Sequence, residues 1–202
     1  GWLNFTLRAG TDFFKHRKFL RTAVKSMMIP EGQYREYWVA VRDMSYDALF
    51  AISEQDINDD FSFSLNAGGS IYDSHFDRTY NSIRGLAVPD FYSINNYTNK
   101  LDNYASSWIS RKRVNSLYAS GQIAFRDYLF LDLTARNDWS STLPLENCSF
   151  FYPSASLSFA LTDALNISGD ILTFGKIRMS WARVGNDASP YQLEPVYISG
   201  GF

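Results

Sequence analysis

Few residues in this 202-residue chain could do chemistry, and their spacing argues mostly against it. There are two histidines, His16 and His75, and one cysteine, Cys148. Zinc sites need four closely spaced Cys or His ligands, or an H-E-x-x-H helix, and neither pattern occurs. There is no G-x-S-x-G elbow and no defensible Ser/His/Asp spacing, so acyl-transfer chemistry has no candidate nucleophile. Asp56-Ile-Asn-Asp-Asp60 imitates the opening of a calcium loop. Its sixth position is Phe61 instead of Gly and its twelfth is Ala67 instead of Glu, so the ligand set fails and a solvated turn is the better reading. The sequons at Asn4, Asn96, Asn147 and Asn166 follow from the abundance of Asn and Ser. The expectation is a non-enzyme with no cofactor and no bound metal.

What remains is a polar and aromatic stretch, Arg136-Asn-Asp-Trp139. A Trp face can stack on a sugar ring, and an Arg/Asp pair can bond hydroxyls. The plainer alternative is that Arg136 and Asp138 brace a wall by pairing with neighbours such as Lys176 or Arg178. Trp139 and Trp181 could equally sit in an interfacial aromatic girdle. Tyr92, Tyr97, Tyr104 and Trp108, in expected loops, complete the set of candidate substrate contacts with Arg136, Asp138 and Trp139.

The elements that would position these residues are strands. Alternation of period two dominates, and helical periodicity is nearly absent. From 128 to 138, Leu129, Leu131, Leu133 and Ala135 oppose Phe130, Asp132, Thr134 and Arg136. From 61 to 72, Phe61, Phe63, Leu65, Ala67 and Ile71 oppose Ser62, Ser64, Asn66, Ser70 and Tyr72. In the segment from 151, Ala155, Leu157 and Phe159 oppose Ser154, Ser156 and Ser158. Weaker alternation marks the segments around Leu3–Ala9, Tyr46–Ser53, Leu117–Phe125 and Ile177–Trp181. Seven strands of about ten residues are expected. Irregular stretches are expected at 14–45 and 73–112, with short links near 54–60, 126–127 and 163–170.

Composition narrows the class. A net charge of −2 offers no basic face for nucleic acid. No run of 18 apolar residues exists, which excludes a transmembrane helix but not a barrel, whose strands need only about 9–11 residues. Aromatics are plentiful, with 16 Phe, 13 Tyr and 5 Trp. Gly1-Trp-Leu-Asn4 carries no secretion signal, as expected of an exported protein read without its beginning. The alternation of long and short links sorts long loops to one end of an up-and-down sheet, as in outer-membrane barrels. Seven strands cannot enclose a wide lumen, so an arc of a larger barrel is expected. A soluble carbohydrate-binding or adhesin-like β-sandwich is the alternative that alternation alone leaves open.

Three blocks carry a resemblance. They are Ala135–Pro144 (Ala-Arg-Asn-Asp-Trp-Ser-Ser-Thr-Leu-Pro), Phe151–Phe159 (Phe-Tyr-Pro-Ser-Ala-Ser-Leu-Ser-Phe), and Phe174–Asp187, with Pro190-Tyr-Gln192 beyond. In this order, with Val88–Tyr92 and Lys112–Tyr118 upstream, the chain resembles the SusC/RagA family of TonB-dependent outer-membrane transporters. The resemblance covers about residues 61–192. It implies a 22-stranded barrel in the Gram-negative outer membrane, bathed in its lipid and filled by an N-terminal plug. It also implies a SusD-type surface lipoprotein as lid, energy from TonB, and oligosaccharide or peptide as cargo. Residues 1–202 would then be the middle of that barrel. The plug, the TonB-contacting part and the remaining strands would lie outside it.

Overall fold

A computed structural model describes residues 1–165, 167 and 173–193. Its strands are β1 (Leu3–Thr22), β2 (Gln33–Asn58), β3 (Phe61–Arg84), β4 (Tyr104–Phe125), β5 (Leu129–Ser140), β6 (Ser149–Ala160) and β7 (Lys176–Ala182). A single helical turn, α1 (Leu161–Ala164), follows β6. The strands form one sheet in the order β1-β2-β3-β4-β5-β6-β7, an up-and-down meander with no crossover. This is the expected architecture, an all-β antiparallel barrel segment with seven strands. A sandwich would bury one apolar face under a second sheet. The described residues form only this one.

The first four strands are twice as long as alternation indicated, at 20, 26, 24 and 22 residues. Most of 14–45 and 73–112, expected to be irregular, is strand. True loops remain at 23–32 and 85–103. The reason is physical: period two shows in a sequence only where one face is apolar and the other polar. From Asp12 to Thr22, charged and aromatic residues occupy both faces. The ladder continues while its signature vanishes. His16 and His75 consequently lie on β1 and β3, not in loops. The β6–β7 connection, residues 161–175, holds α1 and is longer than the 141–148 link between β5 and β6. Loop lengths therefore alternate less strictly than the sequence suggested. Asn166 and most of 163–170 lie outside the described residues.

The chain forms two compact units. The first contains residues 1–10, 45–72 and everything described from 112 onward. Its register fixes which side chains share a face. Ile123, Leu131, Leu157 and Met179 lie side by side across β4 to β7. Phe125, Leu129, Phe159 and Ile177 form the next apolar row, and Gly121, Leu133, Ala155 and Trp181 another. Ile123, Leu133, Leu157, Ile177, Met179 and Trp181 are 43–69 % exposed. The opposite face carries Gln122, Asp132, Ser156 and Ser180 in one row. Gln122 Nε2 donates to Asp132 Oδ1 at 2.6 Å, and the hydroxyls of Thr134 and Ser154 are 2.6 Å apart. Polar side chains satisfy one another here, while the apolar face is largely exposed among the described residues. At Gly68 a Cβ would stand 2.5 Å from the Ala48 carbonyl and 2.7 Å from the Tyr118 ring, so only glycine lets Tyr118 pass.

The second unit contains residues 11–44 and 73–111. Its small core is Tyr34, Ile83 and Leu86, with Val24, Tyr92, Ile94 and Tyr97 packed against it. Gly32 takes φ +77°, a conformation few other residues accept, and lies beneath Leu86. Asn96 is buried, and its side chain bonds the backbone of Val88 in both directions and the Phe91 carbonyl. These bonds replace the backbone ladder that the loop lacks. The segment after β3 is thus a packed structure.

Candidate functional site

The polar face of the first unit contains a pocket of about 330 Å³. β5 builds its floor. Because successive side chains alternate, Arg136, Asp138 and Ser140 all point to the same side. Tyr118, Ser116 and Val114 of β4 stand opposite them in register, as do Tyr152 and Phe150 of β6 opposite Arg136 and Asp138. The segment after β7, Val184–Asp187, closes one side and Lys112 another.

Arg136 Nε is 2.7 Å from Asp138 Oδ1, and its Nη2 donates to Ser116 Oγ at 3.0 Å. The guanidinium also lies over the Tyr118 ring, 6.0 Å from its centroid, while the Tyr118 hydroxyl donates to Asp47. Arg136 and Asp138 therefore pair with each other and with β4. They do not pair with Lys176 or Arg178, named above as possible braces. The register explains the difference: Lys176 and Arg178 pair with Ala160 and Ser158, whereas Arg136 faces Tyr152, several residues along β6. Lys176 lies over Phe130 instead.

Beside this pair is a second, more buried cluster. Asp187 accepts from Lys112 Nζ at 2.8 Å, from Ser140 Oγ at 2.6 Å and from Thr142 Oγ1 at 3.3 Å. Ser140 and Thr142 are each 4 % exposed. Burial pushes the Asp187 carboxyl upward, but the bonds from Lys112, Ser140 and Thr142 outweigh it and hold its pKa below the ordinary value. Two further bonds fix the surroundings, Arg183 N to the Pro153 carbonyl and Ser141 N to the Arg113 carbonyl, at 3.0 and 2.9 Å. Gly185 fits where a Cβ would come within 3.2 Å of the Tyr152 ring.

The remaining candidates lie elsewhere. Trp139 is on the other face of β5, between Asn115 and Ser149, and is 37 % exposed. Tyr92 and Tyr97 pack around the core of the second unit. Tyr104 begins β4 beside Tyr80, rings 5.8 Å apart, and Trp108 lies four residues along the same strand. Lys112, Ser140, Thr142 and Asp187 were not singled out in the sequence, although all lie in the blocks that carry the resemblance. Lys112 and Asp187 are 75 residues apart, and only register brings them together. No group of three potential metal ligands occurs among the described residues. The arrangement can bind and orient a polar solute.

A single up-and-down meander, with an exposed apolar face and a hydrogen-bonded polar face in its first unit, is the architecture of a β-barrel wall segment. Solved transporters contain the same wall. The chain is similar to the structure of the RagAB peptide transporter, with TM-score 0.86 and 17 % identity over 96 % of this chain and 22 % of that one. It is also similar to the RagAB peptide importer in its closed-closed state (TM-score 0.85, 17 % identity, 98 % and 23 % covered) and its open-open state (0.80, 16 %, 89 % and 20 %). The chain thus spans about a fifth to a quarter of those proteins, and the fold reached is the one that the SusC/RagA resemblance implied. No protein-family model matches the chain, and no curated protein matches it.

Proposed function

We propose that the chain is part of the barrel wall of a TonB-dependent importer in the Gram-negative outer membrane. The supporting observation is the pair of faces on β4 to β7. Rows such as Ile123-Leu131-Leu157-Met179 would be unfavourable against water, at about 25 cal/mol per Å² of apolar surface, and suit lipid. The opposite face, with Gln122, Asp132, Thr134 and Ser154, suits a wet lumen. A spanning sheet must close on itself, so strands beyond this chain complete the barrel. The reading includes a plug, TonB contact through it, and a SusD-type surface lipoprotein over the loops. It follows the family resemblance and the likeness to the RagAB peptide transporter.

Oligopeptide is the cargo we favour. The lumen pocket presents both charge signs, with Arg136 half exposed beside Asp138, and its structural neighbours are described as peptide transporters. Oligosaccharide is the second reading, favoured by the ring ladder Tyr37-Tyr80-Tyr104, with centroid spacings of 4.8 and 5.8 Å. Arg136, Asp138, Tyr104 and Trp108 are the proposed cargo contacts. Trp139 is assigned to the interfacial girdle, and Tyr92 and Tyr97 shape the surface offered to the lipoprotein. The test uses the full-length protein in cells. Outer-membrane fractionation, with TonB-dependent uptake of labelled oligopeptides ahead of oligosaccharides, is the expected result. Recovery as a detergent-independent soluble protein would overturn the membrane placement. Uptake confined to oligosaccharides would overturn the choice of cargo.

A further inference from the structure

The charges around the pocket on the polar face of the first unit are already paired with one another. Arg136 Nε lies 2.7 Å from Asp138 Oδ1, and Lys112 Nζ lies 2.8 Å from Asp187 Oδ2. Two positive and two negative side chains leave the lining without net charge. An acidic guest would approach Asp138 and Asp187, and a basic one Lys112 and Arg136. Either would have to break an existing pair or enter without a partner, and an unpaired charge taken out of water is strongly disfavoured. An uncharged guest meets neither obstacle.

The rest of the lining is flat and apolar with unused polar groups beside it. Phe150 and Tyr152 are two apart on β6 and so share a face. Their rings are nearly parallel, 14° between planes, with centroids 6.3 Å apart. Val114 of β4 and Val184 of the segment after β7 add further apolar surface. Among the described residues the Tyr152 hydroxyl and the Asn186 amide, which also line the pocket, have no hydrogen-bond partner. At about 330 Å³ the pocket lies at the lower end of the range for small-molecule sites, about 300–1,000 Å³. That is room for one side chain of a longer cargo.

We propose that this pocket is a specificity subsite for one flat, uncharged side chain of a peptide cargo, tyrosine being the best match. Its ring would lie against Phe150 and Tyr152 in the offset or edge-on arrangements that aromatic pairs prefer. Its hydroxyl would complete the hydrogen bonding of Tyr152 and Asn186. Arg136 and Asp138, a donor and an acceptor two apart on β5, would hold the adjacent peptide group, which needs one of each. The inference deepens the cargo reading proposed above and rests on it.

The experiment uses the detergent-purified full-length protein. Binding is measured for labelled hexapeptides of alanine and glycine, capped at both ends, that differ only in one central residue: Tyr, Phe, Glu or Lys. A neutral oligosaccharide is measured alongside. The Tyr peptide should bind about fivefold tighter than the Phe peptide, the effect of one hydrogen bond, and at least about tenfold tighter than the Glu and Lys peptides. Y152F/N186A should bring the Tyr and Phe peptides level. D138N leaves Arg136 without its counter-charge, so it should bind the Glu peptide about tenfold tighter than before and the Lys peptide no better. A merely structural Asp138 predicts no such gain. Equal binding of all four peptides would overturn the subsite and leave the peptide reading standing. A Tyr–Phe difference that survives Y152F/N186A would do the same, as would D138N with no gain for Glu. Failure of the cargo reading would look different: the oligosaccharide binds, no peptide does, and the subsite falls with it.

Discussion

Lys112 Nζ and Asp187 Oδ2 lie 2.8 Å apart, joining the middle of the chain to the segment that follows the last strand. Ser140 and Thr142 bond the same carboxylate, so residues from three separate stretches meet at one anion. Among the described residues, the segment 183–187 is tied to the sheet by the Arg183–Pro153 backbone bond and by the bonds to Asp187. Replacing Asp187 with Ala would leave Ser140 and Thr142 buried with one partner fewer and Lys112 without its counter-charge. Bonds to charged groups are worth about 1.5–3 kcal/mol each, and they are not additive in a shared cluster. We expect Asp187→Ala to raise amide exchange at 183–187 at least tenfold while β5 and β6 stay protected. Unchanged exchange would show that other contacts hold the segment.

Acid should act at the same place. The Asp187 carboxyl titrates below its ordinary value, so its folded pKa is depressed. Such a group gives its full stabilisation above the unfolded value, about 3.9, and loses it as pH falls from there through the folded value. Exchange at 183–187 should therefore be flat with pH, once corrected for intrinsic rates, from neutrality down to about pH 4, and should rise below that. In Asp187→Asn the rise should vanish. A rise centred near neutrality would implicate a different group.

The two faces predict a contrast within one strand pair. Leu131 and Leu157 are register partners, and so are Asp132 and Ser156 one residue along. Arg at Leu131 or Leu157 should cost about 2–4 kcal/mol if that row meets lipid at mid-depth. Arg at Thr134 or Ser156 should be nearly silent, because the side chain enters water. Urea titration of the full-length protein refolded into vesicles measures both. Equal tolerance at the two sets of positions would refute the facing.

β5 was legible in the sequence because its faces differ: Leu129, Leu131 and Leu133 against Asp132, Thr134 and Arg136. The same rule failed on β1 beyond Thr11, where Asp12, Phe13, Phe14, Lys15 and His16 carry no alternation, although the backbone ladder continues to Thr22. Hydrogen bonding along a strand leaves no trace in composition. Only a difference between solvents does. The site divides in the same way. Arg136 and Asp138 could be picked out because they are two apart on one strand, and their bond is local. Lys112 and Asp187 could not, since each alone reads as an ordinary surface charge, and their meeting depends on the register of three intervening strand pairs.

Gly68 supplies the last prediction. It sits on β3 where the Tyr118 side chain crosses from β4 to donate its hydroxyl to Asp47 on β2. A Cβ there would come within 2.7 Å of the Tyr118 ring atoms and 2.5 Å of the Ala48 carbonyl. The ring could swing away, but the backbone oxygen could not, so relaxation must move the strands themselves. Overpacking of this kind costs about 1–3 kcal/mol. Gly68→Ala should lose that much, and it should also release Tyr118 from Asp47 and leave Arg136 without the ring beneath it. Pairing the substitution with Tyr118→Phe separates the causes. If the lost Tyr118–Asp47 bond carries the cost, the double variant should be no worse than Gly68→Ala alone. If the clash with Ala48 dominates, the two losses should add.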